Sequence, residues 1–199
     1  MIVPLFVSSG KRCVAVLTPK EKNQILDRLN DEYRIRANFL LETHVRIAEA
    51  YYLNKHPECY RKANGAIFLP NVEEIGKVRC TIKNRAIILS RSGIAAVDKF
   101  FEKDEKTKKS VGLVTYQSME EVFKRAARDA DFDTKYITTK MFRKTMISWL
   151  MACFPERQSQ VQHSAGHNYA TMQGHYVTYG WRKDDIKDMR DETAGWGEV

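Results

Sequence analysis

Between Thr139 and Val177 the chain places a lysine, an arginine, a histidine and a tyrosine in an order suited to phosphoryl chemistry. Lys140 and Arg143 stand three residues apart, so a helix would put them on one face. Gly166-His167 follows, and Tyr176 lies nine residues beyond the histidine. The set supplies one cation that can give a proton, one permanent cation, one imidazole that titrates near neutrality and one phenol. A phosphodiester attacked by an oxygen nucleophile gathers charge on its non-bridging oxygens. A guanidinium fork that never loses its charge meets that need. Attack by a tyrosine would leave a covalent phosphotyrosyl link.

The flanking sequence must build elements that hold these groups. A central helix is expected from Thr138 or Thr139 to Phe154, with Pro155 ending it. Met141, Ile147, Leu150, Met151 and Phe154 form its buried side. Its N-terminus carries Lys140 and Arg143 beside free N–H groups that suit an anion. A short helix from Glu156 to about Ser164 leads to Gly166-His167, and a helix over about Tyr169 to Val177 delivers Tyr176. The last residues read as an exposed helix and a loose end carrying Trp196.

Upstream, residues 1–17 read as an extended lead-in with one strand around Cys13–Leu17. Thr18-Pro19-Lys20-Glu21 is a capping box with proline at the first helical position, opening a helix to about Asn30. Ile25, Leu26 and Leu29 give it an apolar stripe. A second helical run spans Tyr33 to Leu41, and His56 to Asn64 is a polar loop. Ala66–Pro70 and Val78–Leu89 read as two strands joined by a tip over Asn71–Lys77, where Gly76 eases the turn. A helix follows from Ser92, then a charged linker over Lys103–Lys109. Ser118-Met119-Glu120-Glu121 reads as a second capping box, opening a helix to about Ala130. The fold class expected is α+β, mainly α, with a small antiparallel sheet on a helical core.

Composition bounds the function. The 199 residues suffice for one domain, with 43% hydrophobic residues to build a core. A net charge of +8 favours a polyanionic partner. No apolar run reaches the roughly 18–20 residues of a membrane span. The four cysteines are scattered with no C-x-x-C pair, which indicates neither a zinc site nor a disulfide framework. An intracellular setting is expected.

The ordered K-x-x-R, G-H and tyrosine resemble the catalytic half of the tyrosine recombinase (phage integrase) family, over roughly Thr18 to Tyr179. The resemblance adds Arg46, in Arg46-Ile47-Ala48-Glu49, as the first arginine of the family's R-h-x-E pattern. Arg46 and Arg143 would clamp the phosphate, and His167 would position it or shuttle the phenol proton. A hairpin lysine would protonate the leaving 5′ oxygen. Lys77 at the tip is the choice for that lysine, and Lys83 on the returning strand is the alternative. Tyr176 would be the nucleophile. Lys140 stands where most members have histidine, which resembles integrases of spindle-shaped archaeal viruses.

The resemblance implies a single catalytic domain, with a core of about 18–179 and a tail over 180–199; members usually carry an N-terminal core-binding domain, which is not expected in these 199 residues, so the chain reads as either a fragment of a longer integrase or a minimal catalytic module. It also implies double-stranded DNA as partner, a tetramer on DNA assembled through the tail, neither metal nor other cofactor, and the cytoplasm or nucleoid of a prokaryotic host. The expected activity is site-specific recombination or integration of viral or mobile DNA. Two rivals stand beside it: a type IB topoisomerase or resolvase, and a non-catalytic DNA-binding module. Separately, His163, His167 and His175 permit a metal reading, but no nearby carboxylate completes a ligand set.

Overall fold

The computed structural model describes residues 4, 6–8, 13–70, 84–167, 170 and 180–198. The lead-in holds two strands where one is expected. β1 (Phe6–Ser8) pairs antiparallel with β2 (Val14–Val16). β2 is buried along its length and packs on the central helix, where the Leu17 N–H donates to Thr145 Oγ1 at 3.0 Å. α1 (Pro19–Leu26) starts as expected: Thr18 Oγ1 accepts from the Glu21 N–H, and Glu21 Oε2 accepts from the Thr18 N–H at 2.8 Å. α2 (Asp31–Thr43) begins earlier than Tyr33 because the Asn30 side chain caps it. α3 (Ile47–Lys55) opens at Arg46.

Within the expected polar loop, Tyr60–Arg61 forms β3, which pairs with β4 (Ala66–Leu69). β5 (Arg85–Ile88) pairs antiparallel with β4, Ile67 facing Ile87. The expected hairpin is therefore part of a three-stranded sheet of order β3-β4-β5. α4 (Arg91–Phe101) is capped by Ser90 and lies along α2, with Phe39 and Phe100 stacked at 3.9 Å. α5 (Tyr116–Asp129) starts before the expected box. Its cap is Thr115, whose hydroxyl accepts from the Ser118 N–H, so Ser118 lies inside the first turn. Thr115 and Ser118 are equally good caps by type, and helix geometry at Tyr116 and Gln117 selects the earlier one.

α6 (Lys140–Cys153) is the hub. The expected one-sided stripe is too narrow: Phe142, Thr145, Met146, Ser148 and Trp149 are buried as well. The reason is tertiary, since α6 meets β2, α2, α7 (Gln158–Ala165) and α8 (Lys183–Glu192). A 3₁₀ turn over Pro155–Arg157 displaces the start of α7 from Glu156.

The loose end expected at the C-terminus is instead seated in the core. Trp196 is 2% exposed, and its indole N–H donates to the Ile88 carbonyl at 3.0 Å. Arg157 Nη1 donates to the Trp196 and Gly197 carbonyls. A Cβ at Gly197 would lie 2.6 Å from that nitrogen, and its φ of +73° already favours glycine. Lys22 and Glu192 pair at 2.6 Å, and Ser92 Oγ donates to the Glu192 carbonyl. Trp196→Ala should cost about 3–5 kcal/mol, the usual range for emptying a large aromatic site. Urea denaturation would measure it, and a loss under about 1 kcal/mol would mean that the tail is not part of the cooperative unit. No helix among the described residues is long and apolar enough to cross a membrane.

Candidate active site

The site forms where α7 ends. Gly166 takes the left-handed conformation at φ +64°, its N–H donates to the His163 carbonyl, and the His167 N–H donates to that of Gln162. This closing motif satisfies the Gln162 and His163 carbonyls and leaves those of Ser164 and Ala165 without helical partners. Three arginines meet that end. Arg85 Nη1 donates to the Ser164 carbonyl, Arg143 Nη2 to Ala165 at 2.5 Å and Arg46 Nη2 to Gly166 at 3.0 Å. Three successive carbonyls thus each receive one guanidinium, at the end of the helix where the dipole favours cations.

Each arginine is also held from behind. Glu49 lies in the first turn of α3; its Oε2 accepts from the Arg46 N–H at 2.6 Å and its Oε1 from Arg46 Nη1 at 3.1 Å. Arg85 Nη2 reaches Glu49 Oε2 at 2.5 Å, with both side chains 3% exposed. Arg143, 9% exposed, also donates through Nη1 to the His44 carbonyl. That contact accounts for an unusual backbone: His44 caps α2 at φ +40°, a conformation rarely taken outside glycine. Its ring fixes the cost in place, with Nδ1 against the Glu42 carbonyl at 3.3 Å and Nε2 against Ser164 Oγ at 3.0 Å. The network assigns the tautomer. Nδ1–H donates to the carbonyl, Nε2 accepts from the Ser164 hydroxyl, and Ser164 Oγ accepts from the Ile88 N–H.

His167 receives Arg143 Nη2 on Nε2 at 2.8 Å, so that nitrogen carries a lone pair. Burial foremost, then Arg143, Arg46 and Arg85, hold its pKa down to about 2. Burial and then Arg143 and Arg85 hold His44 at about 3. Burial works to raise Glu49, but Arg85, then Arg143 and Arg46, outweigh it and keep the carboxylate ionised below its usual range. Burial lifts the Glu42 carboxyl to about 7, although the Ser90 and Ser92 hydroxyls that donate to it work to lower it.

These shifts set a pH dependence. On unfolding, each histidine returns to about 6.5 and takes up a proton. Their contribution is present above 6.5 and lost as pH falls toward about 3 and about 2. Glu42 has the opposite sign, its contribution being complete below 4.5 and lost as pH rises through about 7. Between pH 5 and 6, two histidine protons act against one glutamate proton. Stability should therefore rise with pH by about 1.4 kcal/mol per unit. Glu42→Gln should double that slope to about 2.7 kcal/mol per unit in urea titrations. An unchanged slope would remove Glu42 from this balance.

The structure brings Arg46, Arg143 and His167 together at the end of α7, Arg46 being a residue that the family resemblance, not the spacing, singled out. Lys140 lies one turn before Arg143, exposed at the start of α6. Tyr176, Lys77 and Lys83 lie outside the described residues, as do Tyr169, Tyr179 and the helix expected over 169–177. Sequence reasoning missed Arg85. The available signal was alternation, since Arg85 shares the buried face of β5 with Ile87, an unusual place for a lone charge.

No protein-family model matches the chain, and no curated protein matches it. A solved structure does. The crystal structure of XerA recombinase superposes with a TM-score of 0.59 over 92% of this chain, at 14% identity. The mainly helical fold with its small antiparallel sheet is thus similar to the fold of that recombinase. This chain spans 65% of that recombinase chain.

Proposed function

We propose that this protein cleaves and rejoins DNA strands through a covalent 3′-phosphotyrosyl intermediate, as a site-specific recombinase acting on viral or mobile DNA. The observation that carries the reading is the convergence of Arg46, Arg143 and His167 at the end of α7, within this fold. Two guanidinia of fixed direction and one neutral imidazole suit a phosphodiester better than a carboxylate or a neutral ligand. Arg46 uses only part of its fork internally, and its side chain is 23% exposed.

In the proposed reaction, Tyr176 Oη attacks phosphorus held between Arg46 and Arg143. The new P–O bond to tyrosine forms as the bond to the 5′ oxygen breaks. Lys77, or its alternative Lys83, gives the 5′ oxygen its proton, and Lys140 adds positive charge at the start of α6. His167 takes the phenol proton. A 5′-hydroxyl of another DNA then attacks the phosphotyrosyl bond and releases the enzyme. The bond energy is conserved through the intermediate, so no ATP or metal is required. Double-stranded DNA is the partner, bound with strong salt dependence. Assembly into a tetramer on DNA through the C-terminal tail belongs to the proposal, as does the spindle-shaped-virus integrase type. Because Trp196 is seated in its own core, the proposed exchange would use the exposed face of α8.

The resting state of His167 bears on this chemistry. A base held at about 2 by burial and three guanidinia is too weak to take a phenol proton. A phosphodiester anion between Arg46 and Arg143 offsets that field and raises the proton affinity of His167. Nitrogen-15 NMR of His167 should show its pKa rising when a DNA duplex is bound. A value unmoved by DNA would remove His167 from the proton path.

The test of the function is a covalent protein–DNA band after denaturation, using a nicked duplex whose short leaving strand diffuses away. Rapid relaxation of supercoiled DNA without partner sites would favour the topoisomerase reading. DNA binding without any covalent band would favour the non-catalytic module.

A further inference from the structure

Arg85 is buried, with its side chain 3% exposed, and it bridges two elements of the site. One end of its fork meets the Glu49 carboxylate, and the other meets the Ser164 carbonyl at the end of α7. We propose that Arg85 is a positioning residue of the same site, locking the Glu49 carboxylate to the α7 terminus and so fixing the direction of the Arg46 guanidinium. This rests on the phosphate-clamp reading above and extends it to a residue that touches no substrate.

Three observations carry it. First, Glu49 is shared. It binds the Arg46 backbone N–H and Nη1 on one side and Arg85 on the other, so its charge does not fall on Arg46 alone. Three arginines against one glutamate leave two positive charges for an incoming phosphate; without Arg85, one remains. Second, the carbonyls of Ser164 and Gly166, two residues apart on one chain, are held by Arg85 and Arg46. Fixing the first sets where the second presents its acceptor. Third, a buried ion pair is a poor source of stability compared with well-packed apolar side chains, so a positional role is a sufficient reason for its presence. Lysine cannot substitute fully, because an ammonium lacks the fork that spans a carboxylate and a carbonyl at fixed angles.

Arg85→Met should slow phosphotyrosyl formation at saturating nicked duplex by about 100-fold, the scale of a small misplacement of a reacting group. The affinity for duplex should change much less. The rate should also acquire an acid limb, because a buried Glu49 without its main partner takes up a proton at higher pH than in the wild type. Arg85→Lys, which keeps a cation beside Glu49, should recover about 10-fold of the loss and remove the acid limb. If Arg85→Met does not fold, as judged by circular dichroism, the Arg85→Lys rate and pH profile carry the test alone, with an expected deficit of about 10-fold. A purely structural role would lower the melting temperature and leave the rate of the folded fraction unchanged at every pH, which overturns the proposal. A second readout needs no DNA: carbon-13 NMR of the Glu49 carboxyl, assigned with Glu49→Gln. An upward shift of its titration in Arg85→Met, and a smaller one in Arg85→Lys, supports the lock even if the wild type forms no covalent adduct, an outcome that would sink the recombinase reading alone. A Glu49 titration unmoved in both Arg85 variants overturns the lock whatever the DNA assay gives.

Discussion

Arg143→Ala should lose covalent adduct formation by about 100- to 1,000-fold, the usual effect of removing one preorganised donor from a charged transition state. It should also destabilise the fold, because Arg143 does two things at once. Its guanidinium faces the proposed phosphate position through His167, and it satisfies the carbonyls of His44 and Ala165. Each buried carbonyl left without a donor costs about 1–3 kcal/mol, so a total of about 2–6 kcal/mol is expected for the two. The two effects separate by experiment. Urea denaturation gives the stability loss, and adduct rates taken where the variant remains folded give the catalytic loss. Arg143→Lys refines the reading. It keeps the charge but cannot serve two carbonyls and a ring nitrogen from one plane, so it should bind duplex nearly normally and react poorly. Wild-type rates in Arg143→Lys would mean that charge alone matters and that the geometry of the guanidinium fork does not.

The second large effect is expected at Glu49. Glu49→Ala leaves Arg85 as a buried cation with only a carbonyl partner, and breaking a buried pair in this way costs about 3–5 kcal/mol. Against a total stability of about 5–15 kcal/mol, that brings the domain close to unfolding. Glu49→Gln should cost less, because its amide oxygen still accepts from the Arg46 N–H. Replacing Glu49 and Arg85 together by methionine should recover much of the stability lost by Glu49→Ala, because neither charge is then stranded. The double variant should still lack cleavage, since Arg46 has lost its orienting partner. Equal stability of Glu49→Ala and wild type would contradict the buried pair.

The legible parts of this molecule were those fixed by local rules. Thr18-Pro19-Lys20-Glu21 determines its helix start within four residues, and the structure has that start. Arg46-Ile47-Ala48-Glu49 shows the arginine and the acid that orients it, because both lie in one turn of α3. Arg143 and His167 were legible as chemistry, yet nothing local shows that they touch; the Gly166 turn and the path of α7 bring them to 2.8 Å. Arg85 was hidden because its partners, Glu49 and Ser164, are 36 and 79 residues away in sequence. Trp196 was read as part of a loose end because nothing local shows its partner: its indole N–H donates to the Ile88 carbonyl, 108 residues away in sequence. The extent of burial around α6 was also invisible to a one-helix pattern, since β2, α2, α7 and α8 all pack against it.

The most direct test of the central claim pairs wild type with Tyr176→Phe on a nicked suicide duplex carrying a candidate attachment site. Proteins are denatured after reaction and resolved on a gel that separates free protein from protein joined to DNA. The proposal expects a covalent band with wild type, none with Tyr176→Phe, and equal duplex binding by both. A band that persists in Tyr176→Phe would move the nucleophile to Tyr169 or Tyr179. Duplex binding with no covalent band from wild type would contradict strand transfer and leave a DNA-binding module on a recombinase fold.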